Sequence, residues 1–189
     1  MNSIKNYLVP TLTLFLICLC AAFLLGVTNG VTAPKIAEIE KQQLEEAMQE
    51  VLPDAKEFSD AVEDSASGCS YSVAKDAAGN EVGYAVTAIG KGGYNGDIKL
   101  MVGLDSDGSV KNISFLSIDE TPSIGMKLKT NQKFLGQFTG ISGSAVLKAK
   151  GGEIDAVTGA TKTSTGITDA VNNALKCYSS ISGEVSGNG

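Results

Sequence analysis

The residues able to do chemistry on a bound group concentrate in one stretch, Asp155-Ala156-Val157-Thr158-Gly159-Ala160-Thr161-Lys162-Thr163-Ser164-Thr165, which follows Gly151-Gly152-Glu153-Ile154. Ile154 and Val157 read as the end of a short strand, and Gly159 lets the backbone turn where a side chain would clash. Beyond it Ile167, Val171, Ala174, Leu175 and Tyr178 recur at helical spacing, with Ser164 or Thr165 available as N-cap. A strand, a hydroxyl-rich turn and a helix start present unpaired N–H groups and the positive end of a helix dipole, a setting that suits phosphate or another anion. The same residues would also serve as a plain helix cap. The stretch lacks the Gly-Lys-Ser/Thr ending of a P-loop and is not a dinucleotide fingerprint.

What is missing narrows the chemistry further. The chain has no histidine, which removes the commonest general base and metal ligand, any Ser-His-Asp or Cys-His arrangement, and histidyl attachment of a cofactor. No nicotinamide fingerprint and no cysteine pattern for an iron–sulfur cluster occur. Asp105-Ser106-Asp107-Gly108 is a hairpin turn rather than a calcium loop. All 15 basic residues are lysine, and beyond residue 34 there are 14 of them against 21 acids. That balance disfavours nucleic acid or anionic lipid as partners of the soluble part.

The elements that must position this stretch can be read in order. Residues 8–27 are almost wholly apolar, interrupted by Pro10 and by Thr11 and Thr13, whose hydroxyls can bond back to helix carbonyls. About 20 such residues cross ~30 Å of hydrocarbon. A retained anchor is expected over a cleaved leader, because the run is long for a leader and Pro34 follows the Val31-Thr32-Ala33 pattern. Lys5 and the α-amino group place residues 1–7 in the cytoplasm, although Lys35 and Lys41 on the far side weaken that bias. Cys18 and Cys20 are apolar filler within the span.

Residues 34–52 read as an amphipathic linker helix with the stripe Ile36, Ile39, Leu44, Met48, Val51 and Leu52, ended by Pro53. Residues 54–68 read as an acidic surface connection. Strands are expected at 69–75, 81–89, 98–104 and 110–118, with a glycine-dense loop around Tyr94 at 90–96. A short helix at 129–138 and a strand at 146–150 lead back to the Thr161 stretch. The Ser/Gly-rich residues 179–189 read as a flexible tail. Cys69 and Cys177 would be free to pair in an oxidising compartment, which sequence alone does not decide. The fold class expected is α+β: an N-terminal transmembrane helix, then one domain at 68–178 with a twisted antiparallel sheet and flanking helices.

Asp155-x-x-Thr158-Gly159-Ala160-Thr161-x-Thr163 resembles the flavin-attachment signature of the FMN-binding domain family. Gly92-Gly93-Tyr94-Asn95-Gly96 with the strand after it resembles that family's glycine-rich strand entry, and Glu120-Thr121-Pro122-Ser123-Ile124-Gly125 resembles its Glu-Thr-Pro-Gly-x-Gly loop. Three blocks in this order behind one membrane span are most similar to the RnfG family, the G subunits of Rnf electron-transport complexes. The resemblance implies covalent FMN linked through its phosphate to Thr161 by a separate flavin transferase, with Asp155 part of the recognition pattern. It implies a phosphate site around Lys162 and Thr163, and ring contacts from Glu120, Thr121 and Tyr94. It implies no catalytic residue in this chain, an FMN domain on the extracytoplasmic side, and other membrane subunits of the Rnf complex as partners. The expected role is an electron relay in a ferredoxin:NAD oxidoreductase that moves Na⁺ or H⁺. Ser123 stands where the family often has glycine. The alternatives are the C subunit of a sodium-pumping NADH:quinone reductase, a stand-alone surface flavoprotein, and a non-redox membrane-tethered module whose threonine turn is only a cap. Flavin attachment at a cysteine is a further possibility, with neither Cys69 nor Cys177 in a recognisable motif.

Overall fold

The computed structural model of the protein describes residues 2–64, 68–120 and 125–187, and the chain divides into two compact units, Met1–Gln43 and Leu44–Gly189. A single helix, α1 (Asn2–Val51), supplies all of the first unit's described residues and its last two turns enter the second. In the first unit the apolar side chains from Tyr7 to Val31 are exposed, and the helix is long and apolar enough to cross a membrane. Thr11, Thr13 and Thr28 donate their hydroxyls to the carbonyls of Tyr7, Val9 and Leu24, so no polar group on these side chains is left for hydrocarbon to solvate. Pro34, expected in a first turn, lies inside the continuous helix. The amphipathic stripe is buried only from its C-terminal half: Ile36 and Ile39 are exposed, whereas Met48, Val51 and Leu52 are buried.

The second unit is built on an antiparallel sheet of β1 (Glu57–Phe58), β2 (Val62–Asp64), β3 (Cys69–Lys75), β4 (Glu81–Gly90), β5 (Ile98–Asp105) and β6 (Val110–Ile118). The order is β1-β3-β4-β5-β6, and β2 pairs with β3 beside β1, so two short segments share one edge. Those two segments fall where an acidic surface connection was expected. The sheet therefore starts before residue 68, because backbone pairing to β3 needs no apolar pattern in the edge strand. The β5–β6 hairpin turns at Asp105–Ser109 as expected, with the Gly108 N–H donating to the Asp105 carbonyl at 2.9 Å.

Both faces of the sheet are covered. Helix α3 (Thr161–Gly187) packs Ile167, Val171, Ala174 and Leu175 against Val86, Leu100, Val102 and Leu104. On the other face, Ala47, Met48, Val51 and Leu52 pack with Ala74, Ala85 and Met101. That double coverage explains why β5 is buried almost without interruption instead of alternating. Between β6 and α3 the chain makes a 3₁₀ turn (Gly125–Thr130), a short helix α2 (Gln132–Leu135) and a second 3₁₀ turn (Gly136–Phe138), which deliver Phe134 and Phe138 to the core. Residues 146–150 are not a strand: Leu147 makes one bridge to Ile154 and Lys148–Lys150 form a 3₁₀ turn.

Residues 179–187, expected as a flexible tail, continue α3. Ile181 extends the buried stripe one turn past Cys177, and Ser179 and Ser180 donate to the carbonyls of Leu175 and Lys176, so serines that suggested a loose segment are satisfied by the helix itself.

Lys111 on β6 donates to Asp54 at 2.9 Å and sits 3.3 Å from Asp105. The Lys111 hydrogen bond holds the Asp54 carboxyl below its ordinary range, and the Asp54 hydrogen bond raises Lys111. A lowered carboxyl contributes stability above its unfolded value, about 4, and loses it as pH falls through the folded value; a raised lysine loses its contribution as pH climbs past about 10.4. Wild type and Lys111→Met are expected to differ in Tm at pH 7 and to converge as pH falls through the lowered Asp54 value. A difference that stays flat as pH falls past the point where the carboxyl is protonated would show that Lys111 acts through packing rather than charge.

A candidate flavin site at the start of the last helix

The site depends first on how closely α3 seats on the sheet. A Cβ at Gly90, the last residue of β4, would stand 1.9 Å from the Gly166 carbonyl oxygen and 2.6 Å from the Ala170 nitrogen. Only a strand end without a side chain lets the helix backbone come that near. Side chains of α3 then fasten the chain that leaves β4: Asp169 accepts the Lys91 N–H at 2.8 Å and Asn173 donates to the Ile89 carbonyl at 2.8 Å. The glycine-dense loop and the start of α3 are thus one assembly. Gly90→Ala is expected to lower stability by about 1–3 kcal/mol through overpacking against the helix backbone, read as a fall in Tm; an unchanged Tm would refute the close seating.

The helix start itself differs in detail from the sequence reading. α3 begins at Thr161, so neither Ser164 nor Thr165 is its N-cap. Instead Ser164 is buried, its hydroxyl donating to the Ala160 carbonyl at 2.9 Å and accepting the Val157 N–H at 3.1 Å. Thr165 donates back to the Thr161 carbonyl. Hydroxyls that could cap are drawn into the first turn because the turn Val157–Ala160 is already closed by the Ala160 N–H to Val157 carbonyl bond. The helix ladder opens with the Ser164 N–H on the Ala160 carbonyl, leaving the N–H groups of Thr161, Lys162 and Thr163 ahead of it. Gly159 has φ +82, and a Cβ there would meet nothing within 4 Å. Glycine is required for its left-handed backbone rather than for space.

A cavity of about 470 Å³ opens at this helix start, lined by Gly159, Ala160, Thr161, Lys162 and Thr163 on one side and by Tyr94, Glu120 and Gly125 on the other. Its size is that of small-molecule sites, about 300–1,000 Å³. Thr161 is exposed at its edge, whereas Thr163 is 2% exposed and forms part of the wall. The Lys162 ammonium lies 5.5 Å from the centre of the Tyr94 ring, a cation–π distance. Tyr94 donates its N–H to Glu120 Oε1 at 2.6 Å, which ties the glycine loop to the end of β6.

Seven of the residues singled out from sequence therefore meet at the cavity. Asp155 and Thr158 do not line it. The Asp155 carboxylate is exposed and paired with Lys148 at 2.6 Å, and its backbone is held at both ends by Gln137, which accepts the Asp155 N–H at 2.7 Å and donates to the Asp155 carbonyl at 3.3 Å. Thr121 lies outside the described residues, as does Ser123. Gln137, Lys148 and Gly125 were not singled out as site residues, and no local signal marks the first two, because their roles come from contacts 18 and 7 residues away.

The lining fits an FMN. A phosphate suits the open N–H groups and Lys162, and an orphaned acceptor, Glu120 Oε2, is buried with no hydrogen-bond partner among the described residues.

Comparison with known proteins agrees with the geometry. The FMN-binding domain family matches residues 93–176, from the glycine loop to α3 and so across both walls of the cavity. The RnfG N-terminal region matches residues 1–51, the whole of α1. A relative from Acetobacterium woodii, the G subunit of a Na(+)-translocating ferredoxin:NAD(+) oxidoreductase complex, is 34% identical, covering 90% of this chain and 91% of its own. The G subunit of the ion-translocating oxidoreductase complex of Methanosarcina acetivorans is 32% identical over 97% of this chain and 100% of its own. Among solved structures, NqrC of Shewanella oneidensis covers 73% of this chain and 74% of its own at 18% identity and a TM-score of 0.49, and the assignment rests on the sequence relatives instead. With an FMN-binding domain behind an apolar helix, and relatives of this similarity along nearly its full length, the chain belongs to the RnfG family, the G subunits of ion-translocating oxidoreductase complexes.

Proposed function

We propose that this protein is the membrane-anchored flavin subunit of an Rnf-type ferredoxin:NAD oxidoreductase, carrying FMN through a phosphoester on Thr161 and relaying electrons between neighbouring subunits. The observation that carries this reading is the meeting, at one cavity, of an exposed threonine at an open helix start with a glycine-lined wall and an orphaned buried acceptor. When bound, the FMN supplies reversible uptake and release of electrons.

The chain's own residues do the holding. Thr161 Oγ1 carries the phosphoryl group, and the N–H groups of Thr161, Lys162 and Thr163, with the Lys162 ammonium, offset its charge. Tyr94 and Glu120 bound the ring side of the cavity. A threonine hydroxyl needs an activating base, and the chain has no histidine, the commonest one. A separate flavin transferase therefore brings the base. Asp155 and Thr158, exposed beside the cavity rather than in it, are the residues such an enzyme can read before the flavin is seated.

The helix of the first unit anchors the protein as a single span over residues 8–27, with residues 1–7 cytoplasmic and the FMN domain outside. The disulfide between Cys69 and Cys177 supports that orientation, because such bonds persist in oxidising compartments. Relatives are named for both Na⁺ and proton translocation, so the coupling ion is a matter for transport assays on the assembled complex. Intact mass and in-gel flavin fluorescence of the denatured protein, made beside its transferase, test the reading. An unmodified, non-fluorescent wild type beside a demonstrably active transferase would sink it.

A further inference from the structure

Glu120 is only 6% exposed, and its two oxygens are treated differently by the fold. Oε1 accepts the Tyr94 N–H at 2.6 Å, while Oε2 is buried without a partner among the described residues. Room for the carboxylate is made by two glycines. A Cβ at Gly93 would stand 2.6 Å from Oε1, and one at Gly125 would stand 2.8 Å from Oε2 and 2.6 Å from the Glu120 Cβ. The side chain is thus boxed in at the cavity wall, with one oxygen spent on the loop and the other unspent. Burying an unpaired carboxylate oxygen is costly, and such groups in folded proteins are normally met by a partner.

Resting on the flavin reading, we propose that Glu120 is a positioning and potential-setting residue: Oε2 accepts a hydrogen bond from the bound FMN, and its negative charge lowers the flavin's midpoint potential. The charge balance gives the sign. Two electrons from a low-potential donor and one proton from solvent convert the neutral ring to a reduced form with one net negative charge. A buried carboxylate beside the ring opposes that added charge, and being buried it is screened little by salt. Lys162, the one basic residue lining the cavity among the described residues, acts in the opposite sense. It is exposed and directed to the Tyr94 ring, so solvent weakens its effect.

The test compares wild type with Glu120→Gln, both as the full chain flavinylated by co-expression with the transferase. The readout is midpoint potential by spectroelectrochemistry at pH 7, with flavin content and Tm measured alongside. Glutamine keeps an oxygen for the Tyr94 N–H and nearly the same volume but puts an amide donor in place of Oε2, so potentials are compared per flavin actually bound, with content and Tm measured alongside. The equilibrium is expected to shift at least tenfold toward reduced flavin, a rise of about 30 mV for a two-electron couple. An unchanged or lower potential of the bound flavin would overturn the proposal. If Glu120→Gln does not fold, Glu120→Asp and Glu120→Asn give a second pair matched in shape and differing in charge; the aspartate form should sit lower in potential by a similar shift, and equal potentials overturn the proposal. A wild type without flavin overturns the flavin reading itself, a result distinct from either.

Discussion

Thr161→Val is expected to remove covalent flavin completely while leaving the fold in place. Valine matches threonine in shape and lacks only the oxygen that would carry the phosphoryl group. The backbone cost is small, since the Thr161 carbonyl still receives the Thr165 hydroxyl and the helix ladder still opens at Ser164. Among the described residues no neighbouring hydroxyl is placed to take over. Thr163 and Ser164 are buried, the Thr165 hydroxyl is engaged at 2.9 Å, and Thr158 does not line the cavity. Denatured wild type should therefore fluoresce in the gel and carry the mass of one FMN residue, whereas the variant should show neither and keep its circular dichroism. Fluorescence that survives in the variant would move the attachment elsewhere. Thr161→Ser should retain some flavin, because the hydroxyl remains within reach of the transferase.

Loss of the Cys69–Cys177 disulfide should have the largest effect on stability. The bond joins β3 to α3 across 108 residues of sequence. Cross-linking a loop of that length restricts the unfolded chain by roughly 4–5 kcal/mol in the chain-entropy picture. Both cysteines are buried against the core, so serine in their place also leaves polar groups there. For a domain of this size the expected fall in Tm is roughly 10–15 °C, for Cys69→Ser with Cys177→Ser or for wild type under strong reductant. A Tm that does not respond to reductant would show that the bond does not form in the folded protein. Thiol trapping in intact cells gives the companion result: the pair should be oxidised if the domain faces outward.

The two predictions act at separate points on one helix, and α3 links them. Thr161 is its first residue, Asp169 and Asn173 hold the glycine loop, and Cys177 ties its later turns to β3. The proposed attachment point is thus carried on a rigid element, as a covalently held cofactor would require if its distance to partner groups is to stay fixed.

Much of this protein is written locally and could be read from the chain by itself. An apolar run of membrane length, the Asp105–Gly108 hairpin, the alternation along β3 and β4, and the spacing of Ile167, Val171 and Ala174 all depend on residues within a few positions of one another. The order of hydroxyls and glycine before α3 is local too, but by itself it reads as a plain cap; resemblance to a family signature is what singled out Thr161. Other features belong to the tertiary structure alone. Sequence offered Ser164 and Thr165 as caps, yet closure of the Val157–Ala160 turn pulled the helix start back to Thr161. It suggested a loose tail, yet Ile181 finds the core. It left Cys69 and Cys177 undecided, since a pairing over 108 residues has no local signature. Asp155 stood in the motif, yet Lys148 and Gln137 hold it outside the cavity. The orphaned oxygen of Glu120 arises only when Tyr94, 26 residues earlier, and the backbones of Gly93 and Gly125 close around one carboxylate. Local pattern sets which element forms, because backbone hydrogen bonding and side-chain periodicity act over a turn or a strand. Packing decides which side chains meet, because burial is a property of the whole chain.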